Sequence, residues 1–146
     1  MKSVQETIAN LELVLDAEEG VYRRLKQLLQ REEEELIGLD PAALERTTAE
    51  KRALAAEARL HEESRLPLVR ALADAVGLEE AQPRLSTLIA EMGHEARGLL
   101  ERHARLTALV STTKLLVGSN ERFANRSLGR VRDTLRLLHS RTATDD

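Results

Sequence analysis

The sequence predicts an all-α protein: an elongated antiparallel bundle of three to four long amphipathic helices with coiled-coil-like packing. Three observations carry that expectation. Apolar residues recur at alternating steps of three and four over long runs, which is helical and not strand spacing. Hydrophobic residues make up 42% of the chain while aromatics make up 1%, so Leu, Ala, Val and Ile must fill the interior. That composition suits helix seams better than the thick core and walled pocket of a globular enzyme. Finally, helix stop and start signals sit only a few residues apart.

The first helix is expected over about 3–37. Ile8, Leu11, Leu15, Tyr22, Leu25, Leu29, Leu36 and Leu39 form one stripe, interrupted by Glu18 and Glu32 and widened by Val14, Val21 and Leu28. Gly38 is placed to take the left-handed position that ends the helix, with Leu39 after it. Asp40 then caps a second helix that has Pro41 in its first turn. So short a link makes an antiparallel hairpin, in which the Glu32–Glu35 run reads as a solvated face partly paired across the hairpin, with Arg46 beside it and Lys51 and Arg52 one to two turns further on.

The second helix, over 41–76, runs through Leu44, Leu54, Ala58, Leu68 and Leu72 and is expected to kink near Pro67. Gly77-Leu78 repeats the stop signal. A third helix, over 83–117, has the seam Ile89, Met92, Ala96, Leu99, Leu106, Val110 and Val117, with His103 and Thr113 as polar interruptions. These helices form a bundle over 1–117. Gly118-Ser119-Asn120 reads as a break, and beyond it Phe123, Leu128, Val131, Leu135 and Leu138 make a fresh stripe. Residues 118–146 are therefore expected to be a separate amphipathic segment, able to move and to bind a partner, with a frayed tail from Ser140.

Several function classes recede. No cysteine is present, which removes thiolate chemistry and Cys-ligated metal. Glu91 and His94 make one Glu-x-x-His pair without the second pair that a bundle di-iron site needs. No Gly-rich phosphate loop or nucleophile elbow occurs. No enzyme activity and no cofactor or metal are expected. His103 reads as a partly exposed histidine at the bundle edge. The N-terminus lacks a signal-like apolar run and no stretch is long enough for a membrane span, which points to the cytoplasm.

The net charge of −3 speaks against general nucleic-acid affinity, but the charge is uneven. Residues 119–141 hold Arg122, Arg126, Arg130, Arg132, Arg136 and Arg141 against only Glu121 and Asp133. Three readings of this segment stand side by side: a helix that binds a partner's helices, ordinary bundle core, or a nucleic-acid or anionic-membrane element. The scatter of the arginines and the single aromatic favour the first.

The long Leu-rich first helix, the Leu36-Ile37-Gly38-Leu39-Asp40 turn, and Ala43-Leu44-Glu45 followed by Glu50-Lys51 and Leu54 resemble the FlgN family of flagellar export chaperones. So does the end of the chain, where Asn120 opens a segment closing with Ser127-Leu128, Val131 and Leu135 through Leu138. The resemblance implies a cytoplasmic chaperone of flagellar type III secretion. Such chaperones bind the C-terminal helices of the hook–filament junction proteins FlgK and FlgL, keep them unassembled, and deliver them to the export gate and its ATPase. It places cargo binding on Asn120, Phe123, Leu128, Val131, Leu135 and Leu138, with Phe123 as the aromatic that docks at the gate. A homodimer stays open. The alternative from another class is a structural coiled-coil scaffold without a transient client.

Overall fold

A computed structural model describes residues 3–80 and 82–144, with the side chains of 142–144 left aside. Its described residues form helices and turns without a strand: α1 (Val4–Ile37), α2 (Pro41–Ala75), the short α3 (Leu85–Met92), one 3-10 turn (Gly93–Ala96) and α4 (Arg97–Thr144). At about 1.5 Å per residue, α1 is roughly 50 Å long and α4 roughly 70 Å.

The ends of α1 and α2 have local causes. Ser3 caps α1 by accepting from the Glu6 N–H at 3.1 Å, which satisfies one of the first-turn donors. At the other end the chain closes a Schellman turn: Leu39 N–H donates to the Leu36 carbonyl and Asp40 N–H to that of Glu35. The left-handed residue is Leu39 (φ 50°), not Gly38, which stays right-handed at φ −77°. The expected turn is present, but shifted by one residue. Asp40 then accepts from the Ala43 N–H at 3.1 Å and starts α2 with Pro41 in its first turn, as its residues predict.

The α2 helix continues through Pro67 to Ala75. Gly77 (φ 77°) closes a second Schellman turn, with Leu78 N–H bonded to the Ala73 carbonyl at 2.9 Å and the Leu78 side chain packed on the core. The third predicted helix differs more. It breaks at Gly93, whose φ of 64° and ψ of −126° suit only glycine, and it does not break at Gly118-Ser119-Asn120, where α4 runs on without interruption. The expected tail falls partly on 145 and 146, outside the described residues.

Cross-helix pairs fix the arrangement. Glu18 with Arg65, Arg24 with Glu57, and Arg31 with Glu50 make α2 antiparallel to α1. Asp16 with Arg102, Glu19 with Arg105, and Glu32 with Asn120 make α4 parallel to it. α1 is therefore the central helix, packed by α2 on one side and α4 on the other. The main apolar core sits at one end, where Ile8, Leu11 and Leu15 meet Val69 and Leu72, Leu88 and Ile89 of α3, and Leu99 and Leu106 of α4.

Candidate functional site

The buried residues of α4 recur every seventh position: Leu99, Leu106, Thr113, Asn120. This is a seam against α1 that turns from apolar to polar along the helix. At its far end Asn120 is only 5% exposed. Its amide donates to the Leu29 carbonyl at 2.9 Å and to Glu32 Oε1 at 2.8 Å. Glu32, itself buried, is also paired with Lys51 of α2, so one polar cluster joins all three long helices. The Asn120 side chain is thus engaged inside the bundle, apart from the other five residues of the expected binding set.

From that level α1 has only residues 33–37 left before its turn, while α4 continues over 121–144. The helix outruns the hairpin and leaves an arm. Phe123 is half-buried at its root. Leu128 and Leu135 are 60% and 61% exposed, and Val131 and Leu138 are exposed as well. The stripe is not a new face. The seam Val110, Thr113, Val117, Asn120 continues through Ala124 to Leu128 with two successive steps of four, then to Val131, Leu135 and Leu138. What sequence spacing presents as a change of register is a small rotation of the same face, now beyond the reach of α1.

A second feature lies mid-molecule, where α2 and α4 each pack on α1 and leave a cleft of about 380 Å³ between them. Glu18 and Tyr22 form its floor, Glu62 and Arg65 stand on the α2 side, and His103, Val110 and Lys114 on the α4 side. Glu18 is 4% exposed; one carboxylate oxygen lies 3.4 Å from Arg65 Nη1, and the other has no hydrogen-bond donor. Burial pushes its pKa above the ordinary value of 4.5, against the opposing pull of Arg65. Burial, aided by the Arg65 charge, lowers the pKa of His103 from 6.5. Tyr22 is raised, first by burial and then by Glu18. The sequence marked Glu18 only as an interruption of an apolar stripe; a charge in a seam was the available signal for the cleft.

Among the described residues no group of three or more His, Asp or Glu is placed to hold a metal ion. No helix among them is long and apolar enough to cross a membrane. No curated protein and no solved structure matches the chain. A family model described as FlgN protein, however, matches residues 1–145, nearly the whole sequence, and the chain belongs to the FlgN family of flagellar export chaperones.

Proposed function

We propose that this chaperone captures the C-terminal helices of hook–filament junction proteins of the FlgK and FlgL type on its α4 arm. It keeps them unassembled in the cytoplasm and hands them to the export apparatus without chemistry of its own. The observation that supports this is the exposed stripe Leu128, Val131, Leu135 and Leu138 on a helix that has outrun its own bundle. Filament-type subunits polymerise through amphipathic terminal helices, and such stripes are aggregation hazards until they are covered. An arm with a complementary stripe covers them reversibly. Phe123, at the root, is the aromatic available for docking at the gate. Asn120 holds the root in place and leaves contact with the client to the residues beyond it.

The magnitudes fit. Burying one such side chain stabilises by about 1.5–3 kcal/mol, so four give roughly 6–12 kcal/mol gross. The arm is already helical, which lowers the ordering cost on the chaperone's side. After association entropy the remainder suits a dissociation constant near 1 μM, about −8 kcal/mol. Calorimetric titration with a peptide from the client's C-terminal helix tests it. Leu128→Ala with Leu135→Ala nearly abolishes binding and leaves the thermal melt unchanged. Wild-type affinity in that double variant, or loss of its fold, would assign this face to a structural role.

A further inference from the structure

We propose that the helix received by the arm carries acidic residues beside its apolar seam, so that charge selects the client along with hydrophobic contact. This rests on the reading of the arm as a docking surface. The molecule shows how this face is satisfied where it is covered. Along the bundle, α4 meets α1 with an apolar seam, and its flanking arginines meet α1 carboxylates: Arg102 lies 3.0 Å from Asp16 and 3.5 Å from Glu12, and Arg105 lies 3.4 Å from Glu19. Arg102 and Arg105 lie on one side of that seam, away from the cleft; the arm extends the same face and carries arginine on both sides of it. By helical spacing, Arg130 stands on one side of the stripe and Arg132 and Arg136 on the other, all three exposed. The only acid over 124–138 is Asp133, which falls on the back of the helix. The arm is thus a continuation of the α1-binding face, basic along both flanks, at a level where α1 has ended.

A helix resembling α1 in its charge pattern is the occupant that complements it. A second copy's arm is not, because pairing arm on arm brings arginine flanks together. The α1 helix of a second copy is engaged in its own bundle. An anionic membrane would match the charge. What favours a helix is the covered part of this same face, which is met by an apolar helix bearing carboxylates, Asp16 and Glu19 of α1. The guanidinium fork is matched to carboxylates.

The test uses the full chain and two synthetic amphipathic peptides that share one Leu seam, one flanked by Glu and the other by Lys. The Glu-flanked peptide binds about tenfold tighter at low salt, as a few exposed ion pairs allow, and the gap narrows at high salt. Arg130→Glu with Arg132→Glu and Arg136→Glu reverses the preference without moving the melt. Equal affinity for both peptides, with dependence on Leu128 and Leu135 retained, overturns charge selection and leaves the docking reading standing. Failure of both designed peptides while the client's own C-terminal peptide binds has the same meaning. Loss of the client peptide as well overturns both. Preferential binding of phosphatidylglycerol vesicles, lost in the charge-reversed variant, assigns the basic flanks to a membrane surface and overturns the inference.

Discussion

The two ends of the bundle are built on different principles. At the α3 end, Leu11, Leu15, Leu72, Leu88 and Leu99 are packed out of water. Towards the hairpin, beyond Leu28 and Leu29, the interior positions are Glu32, Thr47 and Asn120: Asn120 bonds Glu32, Glu32 pairs with Lys51, and Thr47 bonds Arg31 and Glu35. An apolar core gives stability without demanding one alignment, because Leu packs on Leu in several registers. A buried amide or carboxylate is satisfied in only one register. One end of the molecule therefore holds the helices together, while the other sets how far α4 projects and which way its stripe turns. The arm emerges from the end that controls direction.

The largest expected effect separates packed end from arm. Leu99→Ala removes a fully buried side chain and should lower stability by about 2–5 kcal/mol. Leu135→Ala, on the exposed stripe, should change it by less than about 0.5 kcal/mol. Chemical denaturation of the two variants measures both. Comparable losses would mean that the arm belongs to the cooperative core.

Next comes the polar end. Asn120→Ala deprives Glu32 and the Leu29 carbonyl of a donor, an unmade-bond cost of about 1–3 kcal/mol. Amide exchange at the root of the arm should quicken. Affinity for a client peptide should change little, because the stripe residues are untouched. A loss of affinity as deep as that of the Leu128 and Leu135 double variant would return Asn120 to the contact surface.

These contrasts also explain what was legible in the sequence. Hydrophobic spacing located α1 and α2, and Asp40-Pro41 and Gly77-Leu78 marked their ends, because caps are chosen by groups within a few residues. Gly118-Ser119-Asn120 misled for the opposite reason. Local preference there favours a break, but a helix-interior glycine costs only about 1 kcal/mol relative to alanine. The bonds from Asn120 to α1, some ninety residues away in sequence, outweigh it. Gly93 shows the converse: an isolated glycine in an apolar helical pattern turned out to be the true end of α3. The exposed stripe of the arm was visible as a pattern; that it continues the α1-facing seam required knowing where α1 stops.

Glu18 sits between the two ends and sharpens the comparison, since it is a buried carboxylate without the full set of partners that Glu32 has. Its folded pKa is raised, so its contribution to stability is complete below about 4.5 and is lost as pH rises through the folded value. Glu18→Met keeps the volume and removes the charge. Relative to the native chain it should be stabilising by about 1 kcal/mol at pH 7, the scale of one unmade buried bond, with the gain shrinking towards zero near pH 4. Urea titrations at the two pH values measure the difference. A variant less stable at pH 7 would show that the 3.4 Å approach of Arg65 outweighs desolvation.

The smallest effect concerns the turn beneath the arm. Leu39 is the one non-glycine residue with positive φ among the described residues, and its side chain is largely exposed, so little apolar burial offsets the strain. Placing a branched residue in the left-handed region costs about 1–2 kcal/mol. Glycine removes that cost but brings greater backbone freedom to the unfolded chain, worth about 0.4–1 kcal/mol in the opposite direction. The balance for Leu39→Gly is a gain of roughly 0.5 kcal/mol, which for a domain of this size raises the melting temperature by only about 1–3 °C. The Schellman bonds from the amides at positions 39 and 40 should persist, so hydrogen exchange at Asp40 should be no faster than in the native chain. The opposite kind of change suits Gly38, already helical at φ −77°: Gly38→Ala should stabilise by reducing unfolded-state freedom, because the backbone there suits any residue. Destabilisation by Leu39→Gly together with stabilisation by Gly38→Ala would mean that Leu39 makes an apolar contact across the hairpin strong enough to hold its left-handed backbone.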